Sequence, residues 1–294
     1  MTAKIIDGAA EAKRLVADVE VRAASFAAAH GRKPGLAVVL VGANPASAVY
    51  VRAKTAKAVE AGLTSFQHDL PSSCTEADLM RLIDRLNGDP LVDGILVQLP
   101  LPGQIPVDRV LRAVDPAKDV DGFHPMNAGL LATGQPGVVA CTPLGCLRLI
   151  HTVHRDLTGL DVVVVGRSNI VGRPAAQLLL AQGASVDVVH KDSRDVPGHC
   201  RRADILVVAA GSPRLVRKDW VKPGAVVIDV GINRVAENGA TRLIGDVDFD
   251  AVRAVAAAIT PVPGGVGPMT VAALMENTLL CAESRAPARL AAAV

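Results

Sequence analysis

Tyr50 and Lys54 stand four residues apart in the run Tyr50-Val51-Arg52-Ala53-Lys54. On a helix that spacing puts both on one face. A phenol and an amine side by side can pass a proton, each polarising the other. A packing tyrosine beside a surface lysine gives the same pattern, and spacing alone does not separate the two readings. Gln98 follows the apolar run Gly94-Ile-Leu-Val, with Val97 and Leu99 on either side. It falls at the carboxyl end of a buried strand, where parallel sheets collect ligands, and its amide suits either a polar heterocycle or Lys54. Asp119 and Asp121 lie in Asp-Val-Asp-Gly-Phe-His-Pro. Asp121 can accept two hydrogen bonds from an aminopyrimidine ring, or serve as a plain turn former.

A second constellation is Val165-Gly166-Arg167-Ser168-Asn169-Ile170-Val171-Gly172. A β-branched run precedes it and a helical pattern follows, the setting of a phosphate-binding turn. Gly166 permits the tight turn, and amides at the helix start can face a pyrophosphate. Arg167 and Ser168 add anion-binding groups. The spacing is not the usual G-x-G-x-x-G, and a structural turn is the competing reading. A third segment, 261–270, packs Gly264, Gly265 and Gly267 between Pro263 and Pro268, with Val266 among them. Such a run favours close backbone approach to a ligand, or makes a rigid linker.

The elements that must position these groups alternate between helix and strand. Helices are expected over 8–31, 46–61, 75–87, 141–151, 174–182 and 270–284. Strands are expected over 36–41, 93–99, 161–165, 185–190, 205–209 and 226–230. Thr75 and Thr142 are expected N-caps, Gly31 a C-cap, and 42–45 a turn. The alternation implies largely parallel sheets covered on both faces. Residues 115–136, rich in Gly, Pro and Asp, read as an irregular hinge, and the tail 286–294 as loosely held.

Length and composition narrow the class. A chain of 294 residues that is 50% hydrophobic suits two domains better than one. A net charge of +2 gives no prior for nucleic acid or a membrane surface, and 2% aromatic content offers little stacking surface. The first residues carry Lys4 and Asp7 without an apolar run, so no secretory signal is expected. Five scattered cysteines fit reduced, buried thiols in a cytoplasm rather than disulfides or a metal site. The seven histidines show no ligand spacing. A short-chain dehydrogenase also uses Tyr-x-x-x-Lys, but its pair follows the glycine loop, whereas this pair precedes it.

Taken in order, these segments resemble the bifunctional methylenetetrahydrofolate dehydrogenase/methenyltetrahydrofolate cyclohydrolase family. Cys141-Thr142-Pro143, Asp229-Val-Gly-Ile-Asn233 and Gly245-Asp246-Val247 extend the resemblance, which runs from about Ile5 to Leu280. It implies two α/β domains with a cleft between them. Residues 1–135 would form a folate-binding catalytic domain, joined by a C-terminal helix over 270–294. Residues 136–269 would form a Rossmann-like cofactor domain. Lys54 is implied as the key catalytic residue, with Tyr50, Gln98 and Asp121. The folate site would add Val97, Leu99, Pro263, Gly264, Gly265, Val266 and Gly267. Gly166, Arg167, Ser168, Lys191 and Ile232 would contact the cofactor. No metal is implied, and a cytoplasmic homodimer is.

The implied chemistry oxidises methylenetetrahydrofolate to the methenyl cation and hydrolyses that to 10-formyltetrahydrofolate. A monofunctional dehydrogenase, an oxidoreductase for another one-carbon carrier and a non-catalytic dinucleotide sensor remain as alternatives; the Tyr50/Lys54/Gln98/Asp121 set argues against the sensor. NADP is expected over NAD. An NAD site places an acid after its second strand, whereas here Lys191 follows that strand and Arg167 lies within reach. The family's Ser-then-basic pair after this strand is replaced by Lys191-Asp192. Asp192 is expected to face solvent, since neighbours on an extended segment point opposite ways.

Overall fold

The structure, a computed structural model, describes residues 2–42, 45–237 and 240–286. Part of the turn expected over 42–45, and the tail 287–294, fall outside these residues. The chain divides into two compact units: Met1–Lys13 with Ala128–Ala273, and Arg14–Asn127 with Leu274–Val294. The division expected from sequence puts 1–13 with the other unit.

A short β1 (Lys4–Ile5) leads into α1 (Gly8–His30), after which Gly31 takes a φ of +70°, the left-handed geometry that lets glycine end a helix without strain. Every position of β2 (Gly35–Val41) is buried. The helix α2 (Pro45–Glu60) carries Tyr50 and Lys54. Next comes β3 (Thr64–Leu70), a strand the apolar pattern does not reveal. Its Thr-Ser-Phe-Gln-His-Asp-Leu sequence is mostly polar because it edges a three-stranded parallel sheet ordered β3, β2 and then β4 (Gly94–Val97). Between them, α3 (Glu76–Gly88) starts at a capping box: the Thr75 hydroxyl accepts from the Asp78 amide at 3.2 Å. Leu79, Leu82, Ile83 and Leu86 of α3 bury themselves with Val39, Ile95 and Val97. Each such side chain contributes about 1.5–3 kcal/mol.

After α4 (Val107–Ala113) comes α5 (Pro125–Ala132), a helix where an irregular hinge was expected. Pro125 is its first residue, a position where proline favours a helix start rather than breaking one. In α6 (Cys141–His151) the cap is Ala140, not Thr142. Thr142 lies inside the first turn, with its hydroxyl 3.0 Å from that of Thr270.

The second sheet has six strands, all parallel: β1, β11 (Ala258–Ile259), β8 (Val226–Asp229), β7 (Ile205–Val208), β5 (Asp161–Val165) and β6 (Ser185–Val189) in spatial order. Its inner strands are continuous apolar runs because helices cover both faces. Two of those helices are α7 (Gly172–Ala181) and α8 (Val196–Cys200). An antiparallel hairpin, β9 (Asn233–Glu237) with β10 (Ala240–Ile244), and the short α9 (Phe249–Arg253) complete this unit. The last helix, α10 (Val266–Arg285), begins before the expected Thr270. Gly267 and Pro268 thus sit in its first turn, where a missing amide N–H forgoes no intrahelical bond.

All five cysteines are buried thiols outside any disulfide. Among the described residues no helix is long and apolar enough to cross a membrane, and no cluster of side chains is suited to hold a metal ion.

Candidate active site

Gln98 stands one residue past β4, held there because its amide donates to the Val39 carbonyl at 2.9 Å. Its side-chain Oε1 accepts from Lys54 Nζ at 2.9 Å, and its Nε2 donates to the Leu99 carbonyl at 2.6 Å. The second bond fixes the amide orientation, so the oxygen must face the lysine. Leu99 is joined to Pro100 by a cis peptide bond. Lys54 is half-buried on α2, and Tyr50, four residues earlier, is 44% exposed.

Asp121 lies on the loop that follows a parallel bridge between Ile95 and Asp119. Three neighbours hold that loop. Lys118, fully buried, donates from Nζ to the carbonyls of Leu86 at 2.9 Å and Asp89 at 2.8 Å, closing the end of α3. The Ile95 amide donates to the Lys118 carbonyl at 2.7 Å, and Asn277 Nδ2 of α10 donates to the Val120 carbonyl at 2.9 Å. The buried Asp119 carboxylate accepts from the His124 amide at 2.8 Å and Asn127 Nδ2 at 2.9 Å. Burial pushes the Asp121 carboxyl up to about 6, against the pull of the Lys54 charge and with the Asp119 charge adding to the rise. Lys54, Gln98 and Asp121 therefore form one electrostatically coupled group at the carboxyl end of the small sheet.

Sequence reading found this group but missed its supports. Lys118, Asp119, Asn127 and Asn277 are polar residues that ordinarily belong at the surface. Their burial follows only from tertiary packing. Lys118 shows the cost most directly, since burial, with the Arg285 charge adding, pushes its ammonium below the usual lysine range.

The glycine loop sits at the carboxyl end of β5. The Gly166 amide donates to the Val189 carbonyl at 2.8 Å, and the residue takes a φ of +123°. A Cβ there would meet the Ala209 carbonyl oxygen at 2.2 Å, and one on Gly172 would meet the Gly166 oxygen at 2.0 Å. Only glycines fit a chain folded back on itself this tightly. The Ser168 hydroxyl accepts from the amides of Val171 at 3.2 Å and Gly172 at 3.4 Å, at the start of α7. Its own O–H is left to donate.

Lys191 and Asp192 form a turn, not an extended segment. The Ser193 amide donates to the His190 carbonyl at 2.8 Å. Asp192 is exposed, as expected, though through a turn rather than strand alternation. While open to solvent, its carboxylate also lies 3.7 Å from the Arg167 guanidinium and 3.3 Å from Lys191 Nζ.

Ile232 is 48% exposed just beyond β8. Two buried aspartates build its surroundings, and the sequence reading gave neither a role. Asp229 accepts from the amides of Gly231 at 2.9 Å, Asp246 at 2.9 Å and Val247 at 3.0 Å. Asp246 accepts from Ala210 and Gly211 at 2.7 Å each and from Asn233 Nδ2 at 2.8 Å. Burial pushes Asp229 up to about 7 against those amides, and the Asp246 charge adds to the rise.

The segment with Pro263, Gly264, Gly265, Val266 and Gly267 belongs to the unit of the glycine loop, whereas Lys54, Gln98 and Asp121 belong to the other. Of its glycines, Gly265 serves close packing: a Cβ there would meet the Pro261 carbonyl oxygen at 2.5 Å.

Comparison with known proteins divides the chain along its sequence. Residues 6–121 match the family model described as tetrahydrofolate dehydrogenase/cyclohydrolase, catalytic domain, and residues 140–286 match that of its NAD(P)-binding domain. The bifunctional protein FolD of Methylorubrum extorquens is 68% identical over 97% of this chain and 94% of its own length. The bifunctional methylenetetrahydrofolate dehydrogenase/cyclohydrolase FolD from Campylobacter jejuni superposes with a TM-score of 0.93 at 45% identity, over 97% of this chain and 100% of that one. The Trypanosoma brucei enzyme, solved with NADP and an inhibitor, gives a TM-score of 0.92 at 40% identity with the same coverages.

Proposed function

Since the chain belongs to the tetrahydrofolate dehydrogenase/cyclohydrolase family, we propose that it oxidises methylenetetrahydrofolate to methenyltetrahydrofolate with NADP and hydrolyses the product to 10-formyltetrahydrofolate. The observation that carries the reading is the Lys54–Gln98 hydrogen bond of 2.9 Å beside the half-buried Asp121. It is an oriented amine next to a carboxylate suited to paired N–H donors.

Asp121 accepts hydrogen bonds from the aminopyrimidine end of the folate, and its ionised form is the one that binds. Gln98 holds Lys54 toward the one-carbon bridge, with Tyr50 on the same helical face. Lys54 moves the proton when water adds to the methenyl carbon and the ring opens. The substrate's iminium character makes that carbon electrophilic, so the step calls for no metal.

NADP, when bound, supplies the hydride acceptor. The glycine loop suits its pyrophosphate: Gly166 and Gly172 leave no room for a Cβ, the Ser168 O–H is free to donate, and helix starts favour anions. Arg167 and Lys191 would meet the ribose phosphate, and Ile232 the rings.

The resemblance further implies a homodimer working in the cytoplasm, which sedimentation and cell fractionation test. The activity is tested by a paired assay of NADPH formation from methylenetetrahydrofolate and of loss of methenyltetrahydrofolate absorbance. Both signals are expected. Hydrolysis without NADPH formation, or the reverse, would overturn the bifunctional reading.

A further inference from the structure

The two strands that frame the cofactor loop run parallel, with Val165 paired to Val189. The residues that leave them, Gly166–Arg167 and His190–Asp192, are therefore neighbours. The turn at 190–193 is closed twice, by the Ser193 amide on the His190 carbonyl at 2.8 Å and by the His190 amide on the Ser193 hydroxyl at 3.0 Å. A third contact, the Asp192 amide on His190 Nδ1 at 3.3 Å, turns Asp192 back toward the loop. Its carboxylate ends 3.7 Å from Arg167 Nη2 and 3.6 Å from His190 Nδ1. Lys191, the other cation here, has a side chain that is 90% exposed and lies 3.3 Å from the same carboxylate.

The position after the second strand of a dinucleotide-binding unit is where an acidic side chain accepts the ribose hydroxyls of NAD. The same carboxylate opposes a phosphate on that ribose. The turn brings Asp192 to this position, where it already shares both cations on which a phosphate would draw. Resting on the cofactor site proposed above, we infer that Asp192 is a specificity-determining residue. It accepts from the ribose hydroxyls of NAD and competes with the 2′-phosphate of NADP for Arg167 and Lys191. The chain thus uses NAD as a second cofactor instead of being strict for NADP. Phosphate displaces an exposed carboxylate from Arg167 at modest cost, so both cofactors bind.

The test is the ratio of specificity constants for NADP and NAD in dehydrogenase assays of the full-length protein, read beside the ratio of their dissociation constants from calorimetry without folate. The wild type is expected to turn over both cofactors. Asp192→Ser should raise the NADP-to-NAD ratio by about three- to fivefold, the upper scale of one exposed charge pair. Asp192→Asn, which removes the charge and keeps the size, should move it the same way through a lower KM for NADP. A ratio within twofold of the wild type in both variants would overturn the inference. Arg167→Ala separates this failure from failure of the cofactor site itself. If Arg167→Ala leaves both KM values unchanged, the loop is not where the ribose phosphate binds.

Discussion

The folate-side group and the cofactor loop solve the same problem, holding polar atoms in place, by opposite means. Gln98 holds Lys54, and the Asp121 loop is set by buried polar bonds: Lys118 into the end of α3, Asn277 onto the Val120 carbonyl, and Asn127 onto the Asp119 carboxylate. Around Gly166 the backbone is as firmly fixed, but the charged side chains are open to water. Arg167 and Asp192 are each 56% exposed along their side chains. Charges fixed in a partly dry site act strongly and all at once; exposed ones are screened and act in increments. Substitutions in the first region should therefore abolish a step, and those in the second should shift a preference.

The sharpest break would come from Lys54→Met. Cyclohydrolysis should fall by roughly 10²–10⁴-fold, the range for a lost general acid–base group, while NADP affinity stays unchanged. Wild-type hydrolysis of methenyltetrahydrofolate by this variant would remove Lys54 from its role. Next in size, Asp121→Ala should weaken folate binding by about 10- to 100-fold through the loss of charge-assisted hydrogen bonds. Calorimetry should find cofactor affinity intact.

The same residue sharpens the comparison through pH. Burial raises Asp121 to about 6, so in the free protein it is neutral below that value. Binding to N–H donors favours the ionised form, so folate affinity should hold above pH 6 and decline as pH falls through it. In Asp121→Asn that decline should vanish. A wild-type affinity that is flat from neutral pH down to the ordinary carboxylate range would show that Asp121 does not contact the ligand.

On the cofactor side, Gly166→Ala tests the backbone alone. The added methyl would meet the Ala209 oxygen at 2.2 Å on a φ of +123°. Strain of this kind costs about 1–3 kcal/mol, seen as a lower melting temperature and weaker NADP binding. The smallest effect is expected from Arg167→Ala: about a fivefold rise in the KM for NADP, with a lesser rise for NAD. A rise of several hundredfold would mean that Arg167 is as firmly placed as Lys54, and the contrast between the two regions would collapse.

The sequence made the chemistry more legible than its scaffolding. Tyr50/Lys54, Gln98 and Asp121 stood out because their residue types and spacing are unusual for a core. The buried apolar strands β5, β7 and β8 stood out because both of their faces are covered. The strand β3 stayed hidden because an edge needs no apolar pattern. Thr142 carried the right chemistry for a cap, but Ala140 starts the helix one residue before Cys141. The Pro125 helix hid behind residues that also make loops. Asp192 is exposed as expected, but its ion pair with Arg167 stayed hidden because the chain turns where a strand was assumed. Lys118, Asp229 and Asp246 were out of reach, because a single sequence does not say which charged residues will be enclosed.

The buried cysteines give the molecule its own clock. Burial pushes the thiols of Cys146, Cys200 and Cys281 up to about 12, which keeps them protonated and inert toward thiol reagents while the chain is folded. Cys141, Cys146 and Cys200 belong to the unit with the glycine loop, and Cys74 and Cys281 to the unit with Lys54. The order in which a reagent tags them, read by mass spectrometry, thus reports which unit opens first and how a ligand slows each one.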